Sequence, residues 1–270
     1  MATSTSAAEF VPKTDELLYE RRGAVALLTF NRPQARNALT WAMYEGLHDC
    51  CEHVEQDDNV RVLILTGAGD KAFVSGTDIS QFKSFSKPED ALTYERNNNK
   101  YAGRLESLKK PTIAMIRGAA AGGGAAFAMC CDLRIATPDV RFGVPIARTL
   151  GNTLSTQNYN RLVALVGPAR AKELIFTARL VGAEEGKALG IFNEIVEPER
   201  LEARTFELAD LIASHAPLTI SAGKMTIQRI VDKARLEEAD DLLLMCYMSE
   251  DFREGVSAFL EKRKPNWQGR

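Results

Sequence analysis

The sequence has few residues suited to metal ligation and no long apolar run. It contains three isolated histidines, and its five cysteines form no C-x-x-C motif. Because metal sites in proteins use clustered ligands of these types, no metal site is predicted. No apolar stretch approaches the roughly 18 residues that a membrane-spanning helix requires, so no membrane partner is expected.

The cysteines and the N-terminal segment indicate the compartment. Cys50-Cys51, Cys130-Cys131 and Cys246 are predicted to be small, buried or half-buried apolar residues in a reducing environment. Residues 1–16 lack both an arginine-rich amphipathic pattern and an apolar core, so neither a transit nor a signal peptide is predicted. We expect a flexible lead-in over residues 1–16 and a cytoplasmic protein.

The charge is close to balanced. The 34 Lys and Arg residues against 36 Asp and Glu residues give a formal net charge of −2. No basic stripe alternates with aromatic residues, and this argues against nucleic acid as a partner.

Apolar runs and helical patterns alternate along the 270 residues, a length that can bury a full core. Short apolar runs predict strands at Leu18–Glu20, Val25–Phe30 and Val60–Thr66, and a helix is predicted over Trp41–Glu55. The repeated strand–strand–helix order indicates an α/β fold over residues 17–200. Residues 201–270 are predicted to be mostly helical.

A glycine triplet, Gly122 to Gly124, separates the apolar run Ile113–Ile116 from the helical run Ala125–Cys131. Glycines at a helix entrance let a ligand approach the unpaired first-turn N–H groups, where negative charge is stabilised. The alternative is that small residues let the helix pack tightly on a sheet. The spacing fits neither G-x-G-x-x-G nor a Walker motif, so a nucleotide site is not predicted.

A second turn of the same kind lies in K-A-F-V-S-G-T-D-I, residues Lys71 to Ile79. It follows another apolar run and places Gly76 just before an acid-containing helix start. Asp78 is interpreted as a first-turn cap, and Asp132, which follows the glycine-rich helix, as structural. Two such turns could direct two main-chain N–H groups at one atom.

With these motifs the chain resembles the enoyl-CoA hydratase/isomerase superfamily, the crotonases. Four segments in family order carry the resemblance: Asn31–Leu39 (N-R-P-Q-A-R-N-A-L), Ala72–Ile79 (A-F-V-S-G-T-D-I), Gly118–Asp132 and Glu254–Pro265 (E-G-V-S-A-F-L-E-K-R-K-P). The resemblance implies a right-handed spiral of ββα units with a C-terminal helical region that builds trimers, often paired into hexamers.

The resemblance also implies a site for an acyl-CoA thioester. The thioester carbonyl would lie between the main-chain N–H groups of Thr77 and Gly123, which would stabilise an enolate. Coenzyme A would enter as part of the substrate, with no permanently bound cofactor. Its contacts would come from Arg36, Ala38, Ser75, Gly76, Asp78, Ile79, Gly122, Phe259 and Lys262.

Two departures from the family pattern leave the reaction open. Hydratases of the family carry a glutamate three residues beyond the second oxyanion glycine, where this chain has Ala126, and a glutamate after F-G-x-P, where it has Ile146. Neither side chain can transfer a proton. Polar residues of the following segment are candidates for the acyl pocket, namely Arg148, Asn152 and Tyr159, although such residues also commonly cap helices and satisfy loop backbone.

Three readings of the function therefore remain. The protein is interpreted as an enzyme of the enoyl-CoA hydratase/isomerase type, a lyase by default. It could instead be a decarboxylase or isomerase with a relocated acid/base, or a catalytically silent acyl-CoA-binding homologue.

Overall fold

The computed structural model describes residues 10–232 and 240–270. The predicted lead-in and the predicted helical tail fall partly on residues 1–9 and 233–239, which lie outside the described residues. The strands are β1 (Leu17–Arg22), β2 (Val25–Phe30), β3 (Val62–Gly67), β4 (Ala72–Val74), β5 (Thr112–Ile116), β6 (Ala119–Ala121), β7 (Leu133–Ala136), β8 (Arg141–Gly143) and β9 (Glu194–Ile195). The helices are α1 (Trp41–Gln56), α2 (Pro88–Glu106), α3 (Gly123–Cys130), α4 (Ile146–Thr149), α5 (Thr156–Thr177), α6 (Ala183–Ala188), α7 (Leu201–Ser214), α8 (Pro217–Val231), α9 (Asp240–Tyr247) and α10 (Glu250–Leu260).

The strands form two sheets that the chain visits alternately. The larger sheet has the order β1-β2-β3-β5-β7-β9, and the smaller has the order β4-β6-β8. Only β1 and β2 pair antiparallel among the described strands. After β1 and β2, which pair in the larger sheet and lead into α1, each unit places one strand in each sheet and returns through a helix, so the chain advances as a ββα spiral. This confirms the predicted fold class.

The inner strands of the larger sheet, β2, β3, β5 and β7, are largely buried on both faces, as expected for parallel strands. Ala26, Leu28 and Leu63 face the main core, where α1 and α3 also pack. Alternate residues such as Leu27 and Ile64 face the opposite side, which α7 covers. The period of two along each strand thus separates the main core from the layer under α7.

Local signals set the ends of α1. Thr40 has an extended backbone, and its side chain accepts a hydrogen bond from the N–H of Met43, as an N-cap residue does. Residues 10–16, predicted to be flexible, pack against this helix. The Phe10 ring lies 5.4 Å from that of His53, and Lys13 pairs with Asp49 at 2.7 Å.

The region after β8 is mainly helical. A short helix, α4, comes first and is followed by α5. Helix α5 consists of two helical segments, because Gly167, just before Pro168, has non-helical backbone angles of φ +76° and ψ 161°. Cys50, Cys51, Cys130 and Cys131 are buried, and Cys246 is half-buried, as predicted. None of the helices in the described ranges is both long and apolar enough to cross a membrane.

The C-terminal helices pack back onto the spiral of the same chain. Tyr247, Phe252 and Val256 are buried in a cluster with Phe82 and Tyr94. This cluster brings α9 and α10 beside α2 and a short 3₁₀ helix at Ile79–Ser84. The tail therefore builds one side of the interior of its own chain.

Candidate active site

The two predicted turns open onto one cavity of about 650 Å³. It lies between the turns, the inner face of α2, the segment around α4 and the end of α10. Its walls are mainly apolar, with side chains such as Phe82, Phe127 and Leu150. Concave, mostly apolar cavities with a few convergent polar groups are the usual form of small-molecule sites.

The first turn directs the N–H of Thr77 away from the adjacent segment that contains Leu39. Leu39 and Thr77 form an isolated parallel bridge, in which Leu39 N–H donates to Gly76 O at 2.8 Å and Asp78 N–H donates to Leu39 O at 2.9 Å. Both hydrogen bonds to Leu39 thus come from Gly76 and Asp78, which flank Thr77, and the N–H of Thr77 itself points away from Leu39. Gly76 supports this geometry with φ +127°, which residues with a side chain rarely adopt.

The second turn delivers Gly123 as the first residue of α3. Gly122 precedes it with φ +52° and donates to Gly143 O at 3.0 Å. The first N–H groups of a helix have no partner within the helix, so the N–H of Gly123 remains available at the positive end of the helix. Helix α3 then begins its own pattern with Ala126 N–H donating to Gly122 O.

The turns are in contact with each other. A Cβ added to Gly122 would lie 3.5 Å from the Cα of Gly76, and a Cβ added to Gly123 would lie 3.5 Å from Oγ1 of Thr77. The two turns therefore lie side by side at the same part of the cavity. Gly124 allows the tight helix–sheet packing that was the alternative prediction. A Cβ there would lie 2.0 Å from Val74 O and would prevent α3 from packing on β4. The tight-packing interpretation of the triplet thus applies to Gly124.

Two buried tyrosine hydroxyl groups contact the side chain of Thr77 in the first turn. Thr77 Oγ1 lies 2.8 Å from Tyr44 Oη and 2.9 Å from Tyr94 Oη, and all three residues are buried. The threonine side chain is therefore occupied in the interior, and its main-chain N–H is the group free to act on a ligand.

Replacing Thr77 with valine is expected to cost about 1–3 kcal/mol of stability, because two buried tyrosine hydroxyls each lose a hydrogen bond. Turnover should fall far less than when a main-chain donor is removed, since valine keeps the N–H. Urea denaturation and steady-state kinetics of Thr77→Val check both. A loss of turnover as large as that of a main-chain deletion would assign the chemistry to the hydroxyl instead.

The residues predicted to contact coenzyme A all line this cavity. They are Arg36, Ala38, Ser75, Gly76, Asp78, Ile79, Gly122, Phe259 and Lys262. Arg36 and Lys262 are exposed. Asp78 caps the 3₁₀ helix by accepting from Ser80 N–H and also pairs with Arg32 at 3.2 Å, so its side chain has the structural use predicted for it.

A buried carboxyl group, which the sequence analysis missed, lies in the wall that α2 forms. Glu95 is 4% exposed and lines the cavity with Tyr94 and Asn98. Its Oε1 accepts a hydrogen bond of 2.6 Å from Tyr247 Oη, and the main-chain N–H of Ser155 donates to the same carboxyl group. Burial raises the pKa of Glu95 to about 7, because desolvation of the charged form outweighs these hydrogen bonds.

Comparisons with known proteins show the family of this chain. A family model described as enoyl-CoA hydratase/isomerase matches residues 20–270. The chain belongs to the enoyl-CoA hydratase/isomerase family. It is 39% identical over 254 residues to a short-chain-enoyl-CoA hydratase of Clostridium acetobutylicum, covering 93% of this chain and 96% of that one. It is 38% identical over 257 residues to a crotonyl-CoA hydratase of Syntrophomonas wolfei, covering 94% and 98%.

A solved structure extends the comparison. A methylmalonyl-CoA decarboxylase in complex with 2-nitronate-propionyl-CoA is similar with a TM-score of 0.86 and 31% identity, covering 94% of this chain and 99% of that one. The relatives of this family member are thus named for different reactions, hydration and decarboxylation.

The two positions that depart from the family pattern lie in the cavity wall. Ala126, on α3, and Ile146, which begins α4, both line the cavity, and each is 7% exposed. They make this part of the wall apolar, with no group that can transfer a proton.

Two predicted acyl-pocket residues do not line the cavity. Arg148 is exposed because α4 turns its side chain outward. Tyr159 lies on α5, and its hydroxyl group lies 2.8 Å from Thr153 Oγ1. Asn152 does line the cavity and donates from Nδ2 to Tyr247 Oη at 3.0 Å.

The shifted pKa of Glu95 predicts how stability depends on pH. In the unfolded chain this carboxyl ionises near 4.5, and in the folded protein near 7. The contribution of Glu95 to the free energy of unfolding is therefore fully present below about pH 4.5. It is lost as the pH rises through about 7, which lowers the free energy of unfolding by about 3 kcal/mol for a shift of this size. The facing hydroxyls of Tyr44, Tyr94 and Tyr247 do not titrate in this window, since burial raises the pKa of each.

Glu95→Gln should remove this loss. The free energies of unfolding of the two proteins, measured by urea denaturation near pH 4.5 and above pH 7, should diverge in favour of the variant as the pH rises. Parallel pH profiles for the two proteins would contradict the raised pKa.

Proposed function

We propose that the protein binds an acyl-CoA thioester in this cavity and stabilises the enolate of its acyl group with the N–H groups of Thr77 and Gly123. The observation that carries the proposal is the meeting of the two turns at one mainly apolar cavity. An enolate oxygen carries negative charge, and two preorganised main-chain donors stabilise such charge more than they stabilise a neutral carbonyl.

The cavity rim suits coenzyme A. Arg36 and Lys262 are exposed cations at the rim, and neither makes an ion pair with the described residues. They are free to contact phosphate groups, and the apolar walls can take an acyl chain. Coenzyme A thus enters as part of the substrate, and the proposal needs no other cofactor.

The relatives' names offer hydration and decarboxylation as reactions. Hydration is disfavoured by Ala126 and Ile146, which replace the two glutamates that position and activate water in the hydratases this chain resembles. Decarboxylation and double-bond isomerisation both pass through an enolate, which the two turns would stabilise. Of the three classes, these two make the best use of the site.

A turnover screen tests the proposal. Crotonyl-CoA, a 3-enoyl-CoA and methylmalonyl-CoA are supplied in turn, and binding of each is measured in parallel by calorimetry. Turnover of any one that is lost when the second turn is altered supports the enolate enzyme. Binding with no turnover of any thioester would favour the catalytically silent homologue, and no binding would overturn the proposal.

The assembly proposed is a homotrimer or a dimer of trimers. Helix α8 contains no buried residue, and its side chains Leu218, Ile227 and Ile230 are 83%, 64% and 64% exposed. A helix surface of this kind is typical of a subunit interface. Light scattering at micromolar concentration should give a trimer or hexamer mass, and a monodisperse monomer would contradict it.

A further inference from the structure

One wall of the cavity contains the carboxyl group of Glu95, which has no part in the proposed oxyanion site of the two turns. Glu95 is nearly fully buried, and among the residues that the structure describes it has no ion pair. We propose that Glu95 is the acid/base group that removes a proton from the α-carbon of the bound acyl group and later returns it, an assignment that rests on the function proposed above.

The position of Glu95 relative to the first turn supports this role. Tyr94, the preceding residue on α2, has its hydroxyl 2.9 Å from Oγ1 of Thr77. Glu95 and Thr77 line the same cavity. An acyl group whose carbonyl is bound by Thr77 and Gly123 would lie in the cavity that Glu95 lines, with its α-carbon as the first atom beyond that carbonyl.

The partners of Glu95 hold it in one orientation. A tyrosine hydroxyl has a single proton, which Tyr247 donates to Glu95, so the Tyr247 oxygen must accept the bond from Asn152. Oδ1 of Asn152 is then left as a buried acceptor with no partner in the described structure, on a residue of the cavity wall. The hydrogen bonds that connect Asn152, Tyr247 and Glu95 thus fix the carboxyl group. The free Oδ1 of Asn152 offers the substrate one further polar contact.

The surroundings also suit reversible proton transfer. A carboxylate next to a cation would be held ionised and would be a weak base, whereas burial without a cation raises the pKa towards neutrality. Acid/base groups are most effective when they ionise near the working pH. Tyr44, Tyr94 and Tyr247 face the same carboxyl but stay protonated.

The step balances without any co-reactant. The ionised Glu95 carboxylate takes the proton, the C–H bond breaks, and its electron pair moves into the enolate, whose oxygen is bound by Thr77 and Gly123. The carboxylic acid then returns the proton to the same carbon. If the acyl group has a double bond between its β- and γ-carbons, return of the proton to the γ-carbon moves that double bond beside the thioester.

This chemistry indicates a substrate class. A single carboxyl group is enough to move a proton between two carbons, whereas the addition of water in the resembled hydratases uses two. Of the two carboxyl groups that line the cavity, that of Asp78 is held by Ser80 and Arg32, which leaves Glu95 for proton transfer beside the apolar Ala126 and Ile146. Acyl-CoA thioesters with an acidic α-hydrogen, and β,γ-unsaturated ones in particular, are the substrates that fit.

Exchange of the α-hydrogens with solvent tests the assignment directly. The protein is incubated in D₂O with butyryl-CoA, which can neither take up water nor shift a double bond, and deuterium uptake is followed by mass spectrometry. The unmodified protein should catalyse the exchange. Glu95→Gln should slow it by about 10²-fold or more while keeping the dissociation constant for butyryl-CoA. Glu89→Gln is the matched control, since it removes an exposed carboxylate from the same helix.

The outcomes separate this inference from the function on which it rests. Exchange by Glu95→Gln at the unmodified rate, with binding intact, overturns the role of Glu95 and leaves the acyl-CoA site standing. Binding by the unmodified protein without any exchange also overturns it. Absence of both binding and exchange in the unmodified protein overturns the proposed function itself.

Tyr247→Phe provides a second variant that keeps the carboxyl group. Tyr247 acts as a positioning residue whose hydrogen bond favours the ionised form of Glu95. Its removal should shift the midpoint of the pH–exchange profile upward from about 7. A purely structural role for the pair would leave the midpoint in place, and that result would overturn the assignment.

Discussion

Crotonyl-CoA hydration by the unmodified protein is expected to be orders of magnitude slower than by a hydratase with both glutamates. Ala126 and Ile146 line the cavity and cannot transfer protons. General acid–base catalysis contributes about 10² to 10⁴-fold for each group. Loss of enoyl-thioester absorbance measures the rate, with the Clostridium acetobutylicum hydratase, 39% identical, assayed beside it as the reference.

The matched experiment restores the missing groups. Ala126→Glu with Ile146→Glu should raise hydration, whereas either single change should do little, because the two groups act on one water as a unit. Both positions are nearly buried, so melting curves must show that the double variant is folded. Efficient hydration by the unmodified protein would show that another residue activates water, and Glu95 would then be the first to replace.

Gly123→Pro is expected to reduce turnover of the acyl-CoA substrate by about 10² to 10³-fold, since it deletes one of two donors to the enolate oxygen. Proline is tolerated at the first position of a helix, which Gly123 occupies in α3. A Cβ at this position would lie 2.9 Å from Tyr44 Oη, so the change is best made together with Tyr44→Phe, which removes that atom. Tyr44→Phe alone is the reference.

Glycine changes at two other positions control for folding. Gly124→Ala should disrupt the packing of α3, because its Cβ would meet the main chain of Val74 at 2.0 Å. Gly103→Ala should have little effect, since nothing lies within 4 Å of its Cβ. A folded Gly123→Pro variant with unchanged affinity and turnover would remove Gly123 from the site.

The sequence predicted the two turns because their signals are local. An apolar run, a glycine and a helix start are contiguous at Gly76 and at Gly122, and each needs only its own segment to form. That the turns touch depends on the order in which strands enter two sheets. The resemblance implied this arrangement, and the motifs alone did not.

Glu95 was missed because its burial is a property of the assembled fold. It lies in a polar helix, but Ala91, Tyr94, Ala102 and Leu105 are the buried residues of the same face. A glutamate on that apolar face was the available signal. Its partner Tyr247 is 152 residues away, and no local pattern relates them. Arg148 was wrongly expected in the pocket because a polar segment does not reveal which way a short helix turns its side chains.

The most direct test of the account is a crystal structure with a bound acyl-CoA thioester. The thioester carbonyl oxygen should accept hydrogen bonds from the N–H groups of both Thr77 and Gly123 at about 2.7–3.1 Å, with the acyl chain along the wall formed by α2. A thioester bound with its carbonyl away from either N–H group would contradict the proposed oxyanion site.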